Sequence, residues 1–178
     1  EMCIRDRVRN DALTGLRSRT FFNMEVERIE QNHIRPVSVI ACDVNGLKLI
    51  NDYLGHATGD TLLADTALLL RRSLRATDCI ARMGGDEFTI LLPSCPEETA
   101  LKILFELQRT FEEHNSAPDA MPLLLAFGCA SVKSADMPLS RTLVEADREM
   151  LRQKHAQRGA AHEKIKEWIE RNKNVTVC

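Results

Sequence analysis

Three acidic residues occupy positions where a protein chain can hold carboxylates rigidly. Asp43 directly follows a β-rich apolar run over residues 37–42, and Asp86 and Glu87 come directly after a pair of glycines. Carboxylates that converge from strand ends form a hard-oxygen site suited to Mg²⁺, to which the backbone carbonyl of Val44 could add a further ligand. The pattern therefore points to a Mg²⁺ site and to metal-assisted chemistry.

The glycine pair Gly84 and Gly85 favours the same chemistry. Glycine permits a tight turn and lets a phosphate approach the backbone, because no Cβ stands in the way. Taken singly, each acidic residue has a simpler interpretation, in which Asp43 caps the next helix and Asp86 is an ordinary turn residue. Only the whole set of residues favours a site.

Two basic residues late in the chain share one face of a predicted helix. Lys154 and Arg158 are four residues apart, which places their Cβ atoms about 5–6 Å from one another. Such a face can present two cations to the phosphates of a ligand. Without further context, a solvated basic surface is the simpler interpretation.

The overall charge excludes some classes of partner. The chain has 178 residues and a formal net charge of −2, which gives no general attraction to nucleic acid or to an anionic membrane. Its apolar runs, such as residues 123–127, are too short to cross a bilayer. We expect neither partner for this chain.

The cysteines indicate a reducing compartment. They are widely spread and contain no Cys-x-x-Cys pair: Cys3, Cys42, Cys79, Cys95, Cys129 and Cys178. Such spacing does not resemble a zinc site. Cys42, Cys79 and Cys129 lie in strand-like apolar segments and are expected to be small core residues. We therefore expect a cytoplasmic location.

The order of predicted elements indicates an α+β fold. Periodicity and turn residues predict helices over 18–31, 47–53, 61–74, 97–113, 139–155 and 164–172, and strands over 37–42, 79–82, 87–92 and 123–132. A β-hairpin needs no crossover, so we expect a single mixed or antiparallel sheet packed by helices in a ferredoxin-like arrangement. We interpret residues 1–8 as the remnant of an upstream segment, 9–159 as the catalytic domain and 160–178 as a helical tail.

Four sequence blocks resemble the motifs of one family. They are Arg82-Met83-Gly84-Gly85-Asp86-Glu87-Phe88; the segment from Asp43 to His56 with Gly59-Asp60; Asn10-Asp11 with Leu13-Thr14-Gly15-Leu16 and Arg19; and Ala146-Asp147 with Lys154 and Arg158. Taken in their order along the chain, they resemble the GGDEF domains of diguanylate cyclases, whose fold is of the nucleotidyl cyclase palm type. The blocks run from Asn10 to Arg158 and so cover nearly all of the chain.

The resemblance implies an activity and a metal site. Two GTP would be condensed into cyclic di-GMP, with release of pyrophosphate, at the interface of a homodimer. Asp43, Asp86, Glu87 and the Val44 carbonyl would hold two Mg²⁺ or Mn²⁺ ions in each half-site. Either Glu87 or Asp86 would accept the proton of the 3′-hydroxyl, and the sequence leaves that choice open.

The resemblance also assigns substrate contacts. Asn51 and Asp60 would bind the guanine edge, because a carboxylate accepts from the ring N–H and the amino group that guanine presents there. His56 is expected to pack against or orient this pocket. The phosphates would be bound by Lys154 and Arg158 and by the turn glycines Gly84 and Gly85. Lys48 would lie near the phosphates as a catalytic residue that stabilises the transition state.

Several positions depart from the usual family pattern. Asn45 replaces the second acidic residue of an Asp-x-Asp, and Leu47 replaces a common Phe. In the closing helix, Leu151, Gln157 and Gly159 stand where Tyr, Gly and Asn are usual. None of these changes removes an expected metal ligand or guanine contact, so the resemblance implies an active domain.

An inhibitory product site is a further expectation. Arg75 and Asp78 form an Arg-x-x-Asp at the spacing from Gly84 that the family's product site uses. Arg75 could stack on a guanine or donate a paired hydrogen bond, and Asp78 could accept from the base. The simpler interpretation is a surface ion pair at a helix end. Glu106 occupies the place of a second arginine that often completes such a site.

Other functions remain open at this point. The domain could bind GTP or cyclic di-GMP without turnover, could serve only as a dimerisation domain, or could be a nucleotidyl cyclase or polymerase-palm relative with another product. The resemblance also implies a sensor domain upstream in the parent protein, whose input signal the sequence does not identify.

Overall fold

The computed structural model describes residues 9–173. The strands in this range are β1 (Arg17–Ser18), β2 (Val37–Val44), β3 (Cys79–Gly84), β4 (Glu87–Pro93) and β5 (Leu125–Val132). The helices are α1 (Arg19–Gln31), α2 (Leu47–Leu54), α3 (His56–Arg72), α4 (Glu97–Asn115) and α5 (Leu139–Lys173). The predicted upstream remnant, residues 1–8, and the end of the tail, residues 174–178, lie outside the described residues.

All of these strands join one mixed sheet. The order is β1-β3-β4-β2-β5, in which β1 is parallel to β3 and the other neighbours are antiparallel. The prediction of a single mixed or antiparallel sheet is confirmed. Strand β2 lies between β4 and β5, and all eight of its residues are buried. A side chain at its end is therefore fixed by pairing on both sides.

Side chains of β2 point alternately to the two faces of the sheet, and each face covers one of two hydrophobic cores. The first core lies between the sheet and α2, α3 and α4, and includes Ile40, Cys42, Val44, Ile50, Leu62, Leu70, Leu107 and Phe111. The second core lies between the sheet and α1 and the first half of α5, and includes Val37, Val39, Ala41, Phe22, Ile29 and Met150. Successive strand residues face opposite sides, so Asp43 faces the side of the second core.

The predicted hairpin is confirmed, with Gly84 and Gly85 at its turn. Their φ angles are +147° and +52°, a region that side chains with a Cβ rarely adopt. Arg82 closes the turn, because its guanidinium donates to the Gly85 carbonyl at 2.8 Å and contacts Asp11 at 3.3 Å. The turn is thereby tied to the segment that precedes β1.

Helix α3 begins earlier than predicted. The sequence suggested a start at Thr61 after Gly59-Asp60, whereas the helix starts at His56. The break is instead at Gly55, whose φ of +85° interrupts the chain between α2 and α3. Gly59 is buried inside α3, where the absence of a Cβ allows a close contact rather than a turn.

The prediction of two separate C-terminal helices is wrong. Residues 139–155 and 164–172 belong to one continuous helix, α5, of 35 residues. A lone glycine such as Gly159 costs only about 1 kcal/mol in a helix interior, and the alanines around it favour the helix. The boundary predicted at residue 160 therefore falls inside α5.

Smaller differences concern strand ends and cysteines. The last strand starts at Leu125 rather than Leu123, and the two-residue β1 was not predicted. Cys42 and Cys79 are buried as expected, while Cys129 is only partly buried.

Helix α5 packs directly on β5 at Gly128. A Cβ at this position would lie 2.1 Å from the Ala146 carbonyl oxygen, so only glycine leaves room for the helix.

Candidate active site

The acidic residues meet where β2 and β4 pair. Asp43 lies directly opposite Glu87 in the register of these strands, so their Cβ atoms are about 4.5–5.5 Å apart. Asp86 is held close to them, because the Val44 N–H donates a hydrogen bond to the backbone carbonyl oxygen of Asp86 at 2.9 Å. The strand pairing thus brings the three predicted carboxylates to one end of the sheet.

Asp43 is the most buried of these carboxylates. Only 2% of the residue is exposed, and its Oδ2 accepts a hydrogen bond from Lys154 Nζ at 2.7 Å. Burial raises the pKa of the Asp43 carboxyl, the Lys154 hydrogen bond opposes that shift, and the charges of Asp86 and Glu87 add to it. Asp43 is therefore a carboxylate that requires positive charge beside it.

Lys154 supplies that charge from α5. Burial lowers the pKa of its ammonium group, but the hydrogen bond with Asp43 and the charges of Asp43, Asp86 and Glu87 together outweigh this effect, so the pKa lies above its usual value. The side chain remains 36% exposed. Lys154 therefore stays cationic while part of it faces solvent.

The residues at this strand end fit a divalent cation, although they are not a closed metal site. Asp43 Oδ1 is buried and has no hydrogen-bond partner, which leaves a free anionic ligand atom. Within residues 9–173, however, no three His, Cys, Asp or Glu side chains stand close enough together to hold one metal ion. Oxygen ligands from the backbone, water or a substrate phosphate would have to complete the coordination.

A cleft of about 450 Å³ opens beside Asp86. Its volume lies in the usual range for small-molecule sites. The predicted residues in its wall are Val44, Lys48, Asp86, Lys154 and Arg158, and the others are Asn45, Gly46, Leu47, Leu49, Asp52, His155, Ala161 and His162. The predicted phosphate-binding cations therefore face one cleft, which we call the substrate cleft.

The predicted guanine contacts lie apart from that wall, on α2 and α3. Asn51 Oδ1 is buried without a partner, and a Cβ on Gly59 would lie only 1.9 Å from it. Gly59 therefore makes room for the Asn51 amide. His56 and Asp60 are both exposed on the first turns of α3.

Arg75 and Asp78 line a second cavity, which lies beside β1 and the start of β3. The cavity measures about 500 Å³, and its charged wall residues are Arg17, Arg71, Arg75 and Asp78. We call it the arginine cavity. The backbone N–H of Arg75 donates to Asp78 Oδ2 at 2.9 Å. Arg71 donates to the Gly15 carbonyl at 3.0 Å.

Two contributions to these sites were missed in the sequence, and the position expected for Glu106 was wrong. Lys154 contacts Asp43, a residue 111 positions earlier, and no local pattern reveals such a pair. Arg82 carried a signal, since it directly precedes the glycine turn that it closes. Glu106 does not line the arginine cavity and instead pairs with Arg109 on an exposed face of α4.

Comparison with known proteins identifies relatives of this chain. The profile of the GGDEF family, described as "Diguanylate cyclase, GGDEF domain", matches residues 8–160. An uncharacterized protein, y4lL, from Sinorhizobium fredii is 33% identical over 144 residues, which are 78% of this chain and 17% of that protein. The diguanylate cyclase TpbB from Pseudomonas aeruginosa is 42% identical over 98 residues, 53% of this chain.

The chain spans about a fifth of the length of these curated relatives, 17% and 22% respectively. A solved structure of the isolated GGDEF domain of TpbB matches with a TM-score of 0.70 and 34% identity, over 84% of this chain and 91% of that one. A microbial GGDEF domain solved for its interaction with cyclic di-GMP matches with a TM-score of 0.69 and 27% identity, over 86% and 94%.

These matches agree with the mixed sheet and helical layers described above, and the fold is of the nucleotidyl cyclase palm type. Among residues 9–173, no helix has an apolar stretch of the length that a bilayer requires.

Proposed function

Because the chain belongs to the GGDEF family of diguanylate cyclase domains, we propose that it condenses two GTP into cyclic di-GMP and two pyrophosphates. The observation that carries the proposal is Asp43, a buried carboxylate with one unpartnered oxygen. It lies directly opposite Glu87 and accepts a hydrogen bond from Lys154, which stands in the wall of a cleft lined by cations. A structural ion pair alone would not require the free oxygen or the cleft.

The strand end is the proposed metal site. Asp43, Asp86, Glu87 and the Val44 carbonyl would hold two Mg²⁺ or Mn²⁺ ions in each half-site. Such ions acidify a 3′-hydroxyl and neutralise charge on the attacked α-phosphate. Asp86 or Glu87 would accept the hydroxyl proton as the new P–O bond forms and the bond to pyrophosphate breaks.

The cations of the substrate cleft are the proposed phosphate ligands. Lys48 is exposed at the start of α2, and Arg158 lies one helical turn beyond Lys154 on α5. Metal bound at Asp43 would replace the charge that Lys154 now supplies there, leaving its ammonium group to bind phosphate. Gly84 and Gly85 would let the chain pass close to the same phosphates.

The polar groups of α2 and α3 are the proposed guanine ligands. Asn51 has an unpartnered oxygen, and Asp60 is an exposed acceptor. Guanine offers two adjacent donors to such a carboxylate, whereas adenine offers neither at that edge. His56, exposed beside them, would orient or pack against the base.

Two copies of the domain are needed for the product, in our proposal. One chain supplies one guanine site and one acidic strand end, yet cyclic di-GMP joins two GTP symmetrically. Two half-sites facing across a two-fold axis are the simplest arrangement. An upstream sensor domain in the parent protein and a cytoplasmic location, where GTP is available, complete the proposal.

A product assay tests the function directly. The purified chain is incubated with GTP and Mg²⁺, and the product is identified by mass spectrometry. Replacing Glu87 with Gln keeps the shape but removes a charge, so turnover should fall by about tenfold or more. Turnover by Glu87→Gln equal to that of the parent would refute the metal assignment.

The same assay tests the requirement for two copies. Specific activity should rise with protein concentration in the range where sizing shows monomer. An activity independent of concentration there would contradict the two-copy arrangement. Binding of GTP without any product would favour the second candidate, a GGDEF module that holds GTP or cyclic di-GMP as a receptor or dimerisation domain.

Product inhibition is proposed at the arginine cavity. Three arginines and Asp78 line one opening, which offers both guanidinium donors and a carboxylate acceptor to a guanine dinucleotide. Arg71 and Arg17 line the cavity although Glu106 does not, so further arginines are available in place of the one that the sequence lacks.

A further inference from the structure

The last turns of α5 form part of the first core, although the family match ends at residue 160. Ile165 is fully buried and Ile169 is 3% exposed, and both pack in the same core as Val44. Trp168 packs against that core as a partly buried residue. This segment is therefore fixed to the domain close to the strand end that carries Asp43.

Ile165 anchors the segment on the loop that follows β2. A Cβ on Gly46 would lie 2.0 Å from Ile165 Cδ1, so the isoleucine fills the space that a side chain at residue 46 would need. Gly46 has a φ of +83° and directly precedes α2, which carries Lys48. The contact thus fixes the end of α5 relative to the loop between Asp43 and Lys48.

The turn before this anchor lines the substrate cleft. His162 is exposed and belongs to the cleft wall together with Lys154 and Arg158. The three residues are spaced by four positions and therefore share one face of α5. They form a row of donors roughly 12 Å long along the helix axis.

We propose that His162 is a substrate-binding residue whose imidazole N–H donates a hydrogen bond to the outer end of a polyphosphate. Either neutral tautomer carries one N–H donor, and Lys154 and Arg158 bind the same anion from the preceding two turns. Ile165 acts as a positioning residue that holds this turn against Gly46. The substrate identity rests on the proposed function, whereas the polyphosphate contact can be tested without it.

Calorimetry with inorganic tripolyphosphate and with GMP as probes tests the contact in the whole chain. His162→Ala should weaken tripolyphosphate binding by about fivefold, the loss of one hydrogen bond, and leave GMP binding unchanged. His162→Gln, which retains an N–H donor, should recover part of the affinity. Glu163→Ala changes the adjacent exposed residue, which does not line the cleft, and should bind like the parent.

Steady-state kinetics provide the second measurement. In an active chain, His162→Ala should raise KM for GTP by a similar factor and leave kcat nearly unchanged. Ile165→Ala should also weaken tripolyphosphate binding, and Ile169→Ala, which removes a similar side chain farther along the helix, should weaken it less.

The outcomes separate this inference from the proposed function. Tripolyphosphate binding that depends on His162, in a chain that makes no cyclic di-GMP, would refute the function and leave the contact standing. Cyclic di-GMP formation with His162→Ala equal to the parent in both assays would refute the contact alone. Failure of the parent chain to bind tripolyphosphate would also overturn the contact.

Discussion

The substrate cleft and the arginine cavity are similar in volume but differ in how their charged groups are satisfied. Beside the substrate cleft, Asp43 is buried at the end of a central strand, accepts a hydrogen bond from Lys154 of the cleft wall, and keeps one oxygen without a partner. In the arginine cavity, Arg75 and Asp78 lie on an exposed connection, and the Arg75 N–H and the Arg71 side chain already have partners within the chain.

The two sites differ in how far their charged groups are already positioned for a ligand. A buried, partly unsatisfied carboxylate is costly in the absence of a ligand, and a ligand that completes it gains from geometry already fixed by the strand. Exposed groups with internal partners must exchange one contact for another, so their net gain is small. Substitutions in the substrate cleft should therefore have larger effects than those in the arginine cavity.

Asp43→Asn should have the largest effect. It removes the negative charge at the fixed strand end while keeping the side-chain shape, so cyclic di-GMP formation should fall by about 100-fold or more. Product formation with GTP and Mg²⁺ measures this, alongside circular dichroism to confirm folding. Asp119→Asn, at an exposed loop residue, is the control. A folded Asp43→Asn chain with parental activity would remove the basis for the comparison.

Gly59→Ala should have the next largest effect, through Asn51. The added Cβ would lie 1.9 Å from Asn51 Oδ1, so the amide must move. We expect kcat/KM for GTP to fall by about tenfold, the loss of one or two hydrogen bonds to the base. The matched control is Gly159→Ala, where an added Cβ meets nothing within 4 Å. Equal kinetics of the two variants would exclude Asn51 as a guanine contact.

Arg75→Ala tests the arginine cavity. The variant should bind cyclic di-GMP about tenfold more weakly by calorimetry, since one paired donor is lost. Its initial rate should be unchanged, and the late slowing of progress curves should be relieved. Arg72→Ala alters a neighbouring exposed arginine outside the cavity and should behave like the parent. Equal product affinity in Arg75→Ala and the parent would place inhibition elsewhere.

A substitution of Glu30 should have the smallest effect. This residue lies outside both cavities and serves as a reference for them. It accepts hydrogen bonds from the Leu139 N–H, at the start of α5, and from Arg35 at 2.8 Å. The Leu139 hydrogen bond lowers the pKa of Glu30; burial opposes that shift, and Arg35 reinforces it. A lowered folded-state pKa contributes stability that is present above the unfolded value, about 4.3, and that is lost as pH falls through the folded value.

Glu30→Gln should accordingly lower the free energy of unfolding by about 1 kcal/mol at pH 7, with a smaller difference near pH 3. Urea denaturation at both pH values measures this, and Glu27→Gln, on an exposed position of α1, is the control. Activity should be unchanged when measured well below the unfolding transition. A Glu30→Gln difference that persisted undiminished at pH 3 would contradict the charge-based explanation.

Local signals in the sequence predict the fold more completely than the site. The β-rich run before Asp43 and the glycine pair before Asp86 predict the central strand and the hairpin, because both depend on neighbouring residues. The Lys154 contact with Asp43 was not predictable, since it depends on how α5 crosses the sheet. Gly59 was misread as a helix boundary, because a glycine needed for close packing looks the same in sequence as one needed for a turn.

The course of α5 has a consequence for the cooperativity of the domain. Its first half contributes Met150 to the second core, and its last turns contribute Ile165 and Ile169 to the first. Opening either core therefore frees part of the same helix, and separate local unfolding of the two layers is disfavoured. Amide hydrogen exchange along the buried positions of α5 should be slow on both sides of Gly159, with exchange rates that approach those of global unfolding.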